Sequence, residues 1–125
     1  MLTLPATARV YLATGPTDMR KSFDTLMYLV KSVIGENPLS GHLFVFCNRR
    51  HNRLKILTWD GSGFWIFAKR LEKGTFSWPV VEPGQARIEL TAAALTLILT
   101  GIDVNESEQR PWWRRSPPSD EAARK

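Results

Sequence analysis

Four residues of the segment NRRHNR carry, or can carry, a positive charge within five positions. They are Arg49, Arg50, His51 and Arg53. Like charges held so close together repel one another, and they gain little unless an anion lies among them. Arginine can bind phosphate oxygens, or the edge of a guanine base, through two parallel hydrogen bonds. The cluster therefore favours an anionic partner, and the plain alternative is an ordinary solvated loop.

The net charge of the chain is concentrated around this cluster. The 125 residues carry a formal net charge of +5, with a sequence pI of about 9.8. Residues 41–79 contain two acidic residues and seven basic ones, a surplus equal to the whole net charge: Arg49, Arg50, Arg53, Lys55, Lys69, Arg70 and Lys73. A basic chain whose cations share one segment is typical of nucleic-acid-binding proteins.

Aromatic residues are interleaved with these cations. Side chains alternate along a strand, so Lys55 shares a face with Trp59, and Trp65 shares a face with Phe67 and Lys69. We expect all five to form one cationic and aromatic sheet face, which could stack on unpaired bases. The alternative is that the tryptophans belong to the core. We expect Trp59 in the core and leave both possibilities open for Trp65.

A second phosphate site is predicted where the first helix begins. In the segment GPTDMRK, Asp18 is the expected N-cap, and Arg20 and Lys21 then lie in the first turn. The helix dipole disfavours cations there, but a bound phosphate would reverse that penalty. The alternative is two exposed cations whose small cost is tolerated.

The sequence contains no recognisable catalytic or metal-binding motif. There is no G-x-S-x-G, no H-E-x-x-H and no glycine-rich phosphate loop, and no Cys/His set has zinc spacing. The carboxylates of Asp18 and Asp60 suit a helix cap and a turn. A metal-dependent nuclease would need other carboxylates to meet in space. We therefore expect a non-catalytic protein with no cofactor, no metal and no small-molecule ligand.

The sequence also indicates a compartment. Cys47 is the only cysteine, so no intrachain disulfide can form, and its apolar surroundings predict a core position. The first residues do not resemble a signal peptide, and no apolar run reaches the length of a membrane helix. We expect a cytoplasmic protein with no membrane partner.

Hydrophobic periodicity predicts an α+β fold. An apolar stripe with helical spacing covers 18–34, and Gly35 is the expected stop. The segment DGSG is a hairpin signal between two apolar strands. We expect a small antiparallel sheet, a β-meander, packed against the amphipathic helix, with a second C-terminal helix that is capped by Thr91. The predicted strands are 8–14, 42–47, 54–59, 63–69 and 86–90.

The composition changes near Asp103. Residues 1–102 are predicted to form a single domain, whereas 103–125 are polar and rich in proline, which indicates a mostly disordered tail. Within the tail, the segment Trp112 to Arg115 resembles a short docking motif.

The chain resembles the small accessory protein of IS-sixty-six-type bacterial insertion sequences, the product of the second open reading frame, often labelled TnpB. The resemblance rests on the segments TDMRKSFDTL, GHLFVFCNRRHNRLKILTWDGSGFW and KRLEKGTFSWP, and it covers positions 8 to 101. It implies a role in transposition beside a separate, larger transposase that carries the acidic catalytic residues. The family brings no established site residues with it.

Residues and resemblance together predict an accessory protein of transposition that binds DNA, at the transposon ends, through the basic loop and the cationic sheet face. The expected partners are this DNA, the transposase and other products of the same element. The alternative is a protein–protein adaptor that docks on the transposase, because tryptophan and arginine also anchor protein interfaces. The candidate DNA-binding residues are Arg20, Lys21, Arg49, Arg50, His51, Arg53, Lys55, Lys69, Arg70 and Lys73.

Overall fold

A computed structural model describes residues 7–100 of the chain. Their elements in chain order are strand β1 (Val10–Ala13), helix α1 (Phe23–Leu29) with a π-helical extension (Val30–Ile34), a short 3-10 helix (Pro38–Ser40), strands β2 (Leu43–Cys47), β3 (Arg53–Trp59), β4 (Phe64–Arg70) and β5 (Arg87–Leu90), and helix α2 (Ala92–Leu99). The predicted α+β class is confirmed. The predicted tail and its tryptophans lie outside the described residues.

The five strands form one sheet in the order β4-β3-β2-β1-β5. Strands β2, β3 and β4 are the predicted antiparallel meander. Strand β1 pairs parallel to β2, because the chain crosses over through α1 between these two strands and starts β2 at the same end of the sheet as β1. Strand β5 pairs antiparallel to β1. The sheet is therefore mixed, and the meander supplies three of its five strands.

Each face of the sheet packs against one helix, because apolar side chains alternate to both faces of the central strands. One core contains Tyr11, Phe44 and Leu57 together with Leu26 of α1 and Val30 of its π-helical extension. We refer to this side of the sheet as the α1 face.

The other core packs against α2. Strand residues Leu12, Val45 and Ile56 contact Leu95 and Ile98 of the helix, and Thr91 caps the helix by accepting from the backbone N–H of Ala94 at 3.0 Å. This side of the sheet is the α2 face. Strands covered on both faces explain why β2 is wholly apolar.

The beginning of α1 differs from the prediction. The helix starts at Phe23, and its N-cap is Ser22, whose side chain makes no capping bond. Asp18 does not cap it, because its carboxylate accepts from the backbone N–H and the guanidinium of Arg20 within the preceding loop. Arg20 and Lys21 therefore precede the helix. The prediction that they lie in its first turn, where the helix dipole would disfavour their charges, was wrong. The predicted stop is confirmed, since Gly35 adopts a left-handed conformation with φ 78°.

Candidate nucleic-acid interface

The arginine turn, residues 48–52, joins β2 to β3 and is organised by Asn48. The Asn48 Oδ1 atom accepts from the backbone N–H groups of Asn52 (3.0 Å) and Arg53 (3.1 Å). Asparagine is well suited to this role, because its short side chain can bond to nearby backbone groups in a turn. Arg49 and Arg50 occupy the middle of the turn and are exposed. The sequence analysis did not single out Asn48, although an asparagine at the end of an apolar strand is a turn signal.

His51 closes the turn as a structural residue. Its backbone has φ 60°, a left-handed conformation that is uncommon outside glycine. Its ring stacks on Trp78 with centroids 5.6 Å apart, and its carbonyl accepts from the backbone N–H of Phe76 at 2.7 Å. Burial lowers the pKa of His51 below its usual 6.5. The lowered pKa favours the neutral imidazole, and the stacked ring supports the turn.

Three guanidinium groups beside the turn have no partner within residues 7–100. Arg49, Arg50 and Arg53 are exposed, and their side chains make no hydrogen bond or ion pair in this part of the chain. The turn itself is held by backbone and amide contacts. Among the described residues, the three positive charges are therefore presented on a bonded backbone turn without a counter-charge.

The loop between β1 and α1 lies against the arginine turn. The backbone N–H of Thr17 donates to the carbonyl of Cys47 at 2.8 Å, which ties the loop to the end of β2. Parallel strands β1 and β2 both end here, and ligands of open α/β sheets commonly bind beyond the carboxyl ends of such strands. Loop and turn enclose an open cleft of about 690 Å³, lined by Pro16, Thr17, Asp18, Met19, Arg20, Asn48, Arg49, Arg50, Asn52 and Arg53.

Arg20 thus joins the arginine cluster, although the two were predicted as separate sites. It donates from Nη2 to Asp18 Oδ2 at 2.7 Å, and Arg20 is more exposed than its acidic partner. The hydrogen bonds from Arg20 hold the pKa of Asp18 well below its ordinary value. The cleft therefore contains four arginines and one ionised carboxylate.

The basic surface continues onto the sheet beside the cleft. Arg53 on β3 is paired directly with Arg70 on β4, so both side chains project from the α1 face. Like charges opposed in this way destabilise a sheet unless a counter-charge is present. Glu72 supplies one for Arg70, at 2.9 Å, and Arg53 has none within the described residues. Met19 and Arg53 line both the main cleft and an adjoining one of about 400 Å³.

The expected single face of cations and aromatics does not exist. The turn after β3 pairs Trp59 with Phe64 and Thr58 with Trp65. Lys55 and Trp59 therefore lie on the α1 face, whereas Trp65, Phe67 and Lys69 lie on the α2 face. Alternation within each strand was predicted correctly, but the register between the strands places the two sets on opposite faces.

Two of the predicted lysines bond to backbone carbonyls of the fold, and the other two are exposed on the surface. Lys55 donates from Nζ to the carbonyl of Lys21 at 2.7 Å, and Lys69 donates to the carbonyl of Leu99 at the end of α2. Both ammonium groups thus fasten parts of the fold to the sheet. Lys21 and Lys73 are exposed, and neither lines the cleft of the arginine turn.

The tryptophans of the meander differ in exposure. Trp59 is half-buried and packs on Phe64 with ring centroids 4.9 Å apart. Trp65 is 48% exposed, and its indole N–H donates to Asp60 Oδ2 at 2.8 Å. Trp59 thus packs on Phe64 but lies outside both core clusters, so the prediction of a core position was wrong, and Trp65 presents a ring to solvent.

Cys47 lies in the core, as predicted, and burial raises the pKa of its thiol to about 12. Across residues 7–100, no group of three or more His, Cys, Asp or Glu side chains could hold a metal ion. In the same range no helix has the length and apolar character needed to cross a membrane.

Comparison with known proteins places the chain in a family. The family model described as "IS66 Orf2 like protein" matches residues 8–109. The chain belongs to the IS66 Orf2-like family. The resemblance seen in the sequence is confirmed, and the matched region includes the whole cleft and all five strands. Family membership gives this protein an accessory role in IS66 transposition, and the family is not a known catalytic one.

Two curated relatives come from Sinorhizobium fredii, and both are described as uncharacterised. The protein y4hO is 42% identical over 114 residues, which cover 91% of this chain and 96% of the relative. The protein y4jC is 34% identical over 103 residues, or 82% of this chain and 86% of the relative. No solved structure matches the chain.

Proposed function

We propose that this IS66 Orf2-like protein is a non-catalytic accessory factor that binds the DNA of its insertion sequence through the arginine turn and the adjoining cleft. The observation that carries the proposal is the set of three guanidinium groups, on the arginine turn and the first residue of β3, that have no partner within residues 7–100 and lie next to a fourth arginine across the cleft. Lysine and arginine side chains that neutralise phosphates release condensed counterions, which supplies most of the affinity of a basic surface for DNA.

The rigidity of the turn supports the proposal further. A binding surface gains affinity when its groups are already held in place, because less conformational entropy is lost on association. The Asn48 bonds and the His51–Trp78 stack hold the backbone that carries Arg49 and Arg50. The backbone positions from which the arginines project are therefore held in place, although their exposed side chains can still adjust to a partner.

The non-catalytic part of the proposal rests on where the carboxylates lie. Asp18 is bonded to Arg20, Asp60 organises a turn, and Glu72 is paired with Arg70. Metal-assisted cleavage of DNA needs carboxylates that converge on one or two cations. Cutting or joining of DNA by the purified protein with Mg²⁺ or Mn²⁺, abolished by replacing one carboxylate, would refute this part.

A binding experiment with matched arginine variants tests the DNA interface. Fluorescence anisotropy on labelled transposon-end duplex and single strand would compare wild type with Arg49→Ala, Arg50→Ala and Arg53→Ala. Each change should weaken binding by at least about tenfold, since a hydrogen bond to a charged group contributes about 1.5–3 kcal/mol. Each should leave stability within about 0.5 kcal/mol, as is usual for exposed positions.

Arg9→Ala is the matched control. Arg9 is also an exposed arginine, but it precedes β1 at the opposite end of the sheet and lies 3.7 Å from Glu89. Its removal lowers the net charge equally and should leave DNA affinity nearly unchanged. If the three turn variants fold and bind like wild type, the interface is wrong. A pull-down in which those variants lose the transposase instead would favour the adaptor function.

A further inference from the structure

The outer edge of β4 is a seven-residue strand edge with no strand beside it in the described chain. Backbone bonds from Asp60 N to Gly63 O and from Leu71 N to Asn52 O lie at either end of its ladder with β3. Bonding pairs alternate in an antiparallel ladder, so Trp65, Phe67 and Lys69 bond inward to β3. The N–H and C=O groups of the alternate residues point outward: Phe64, Ile66, Ala68 and Arg70.

The side chains of this strand are unusual for an exposed edge. Trp65 and Phe67 are 48% and 37% exposed, and their rings stack on the α2 face with centroids 5.8 Å apart. Aromatic residues Phe64 and Trp65 stand at the start of the strand, and the cations Lys69 and Arg70 stand at its end. Edge strands usually carry charges that prevent pairing, rather than exposed rings. Because cations can bind aromatic faces, the cationic end of one strand is chemically complementary to the aromatic start of another.

We propose that two copies of the chain pair their β4 strands antiparallel about Phe67, which joins the two five-stranded sheets into one. This register is the only antiparallel one in which all seven residues overlap. It pairs Phe64 with Arg70 of the second copy and Ile66 with Ala68 of the second copy, and it satisfies every outward backbone group. The interface is two-fold symmetric, the commonest arrangement of protein dimers.

Charge decides between the two possible strand directions. In the antiparallel register, Trp65 lies opposite Lys69 of the second copy, where an ammonium group can meet an aromatic face. The bond from Lys69 to the Leu99 carbonyl uses one of its three N–H donors, so the group can serve both. A parallel pairing would instead place Lys69 beside Lys69 and Arg70 beside Arg70, and opposed like charges are destabilising.

Cysteine crosslinking tests the register. Phe67→Cys places the two thiols in a non-hydrogen-bonded pair with Cα atoms about 4.5 Å apart, within the range of about 4.4–6.8 Å that a disulfide needs. Under mild oxidation this variant should form a covalent dimer, and native Cys47 should not react because it is buried.

Two further variants act as register controls. Trp65→Cys alone should not crosslink, because residue 65 in the two copies is separated by about 13 Å along the strands. The double variant Trp65→Cys with Lys69→Cys should crosslink twice. Absence of the Phe67→Cys dimer, or equal crosslinking of the single Trp65→Cys variant, would overturn the proposal.

Light scattering tests the dimer without crosslinks. Wild type at tens of micromolar should have twice the 14.2 kDa mass of the chain. Ala68→Pro should return the mass to that of one chain, because it removes an outward N–H that no bond to β3 uses. Thermal melting checks that the variant is folded, and if it is not, the crosslinking variants decide. A wild type that stays monomeric, or forms larger species, would contradict the proposal, which is independent of DNA binding.

Discussion

The two turns at the ends of β3 have the same construction and opposite electrostatic outcomes. In the arginine turn, Asn48 Oδ1 accepts from two backbone N–H groups. In the hairpin turn, residues 60–63, Asp60 Oδ1 accepts from the backbone N–H groups of Ser62 and Gly63, each at 2.9 Å. One side-chain oxygen therefore organises each turn, but only the second organiser carries a charge.

The two turns differ in how their charges are balanced. The backbone bonds at Asp60, with the indole N–H of Trp65, lower the pKa of its carboxyl to about 2, so the carboxylate stays ionised and its charge is stabilised by donors within the turn. The neutral amide of Asn48 adds no counter-charge to Arg49, Arg50 and Arg53, whose side chains have no partner among residues 7–100. Asn48 also donates from Nδ2 to Asn52 Oδ1 at 2.8 Å, so its neutral amide holds the turn from both sides without adding a negative charge.

The largest effect is expected beneath the hairpin turn, where the two tryptophans differ. Trp59→Ala removes a half-buried ring packed on Phe64 and should lower the free energy of unfolding by about 2–3 kcal/mol, less than the roughly 3–5 kcal/mol of a fully buried tryptophan. Trp65→Ala removes an exposed ring and one hydrogen bond, and should cost about 1 kcal/mol. Urea unfolding measures both, and equal losses would contradict this difference in packing.

Exchanging the charges of Asn48 and Asp60 tests whether the neutral residue in the arginine turn matters for DNA binding. Asn48→Asp keeps the accepting oxygen but adds a negative charge among the arginines. Asn52 can turn its amide nitrogen toward the new carboxylate, so the turn should persist. DNA affinity should fall about tenfold, which corresponds to about 1.4 kcal/mol. The matched exchange Asp60→Asn should leave affinity within about twofold. Equal effects of the two exchanges in an anisotropy titration would show that the arginine turn is not the binding surface.

Backbone strain distinguishes two glycines of the hairpin turn. Gly61 has φ 103°, and a Cβ there would meet no atom within 4 Å, so the cost of Gly61→Ala is purely conformational, about 1 kcal/mol or more. Gly63 has equally open surroundings and no positive φ. Gly63→Ala is therefore the matched control and should change stability little. Thermal melts of both variants check this, and a Gly61→Ala variant as stable as wild type would contradict the turn geometry.

The smallest effect is a pH dependence at Asp60. Its folded-state pKa of about 2 lies below the ordinary value of 3.8. The ionised carboxylate therefore stabilises the fold above about pH 4, and this contribution is lost as the pH falls through about 2. Asp60→Asn should remove that part of the acid sensitivity. Acid melts of wild type and variant would measure it, and parallel pH profiles would count against a charge-dependent turn.

Features encoded by neighbouring residues were predictable from the sequence. The Thr91 cap, the Gly35 stop and the three strands of the meander were predicted within one or two residues. Each depends on local backbone chemistry or on the alternation of apolar side chains. The start of α1 was not predictable in this way, because Asp18 bonds to Arg20 in a loop that a contact with β2 holds in place.

The residues of the candidate site were largely predictable from the sequence, but the way the fold brings them together was not. The exposed arginines of the turn followed from their density in the sequence. The register that divides Lys55 from Lys69 follows from the length and shape of the hairpin turn. The approach of Arg20 to the arginine turn depends on the parallel pairing of β1 with β2, a contact between distant segments. Burial of the His51 ring on Trp78 is another such contact.

The most direct test of the central claim is the salt dependence of binding to transposon-end DNA. If Arg20, Arg49, Arg50 and Arg53 each neutralise one phosphate, log K should fall with log[salt] at a slope of about −3.6. The triple variant Arg49→Ala, Arg50→Ala and Arg53→Ala should retain a slope of only about −0.9. A wild-type protein that does not bind at low salt, or a triple variant with an unchanged slope, would contradict the account.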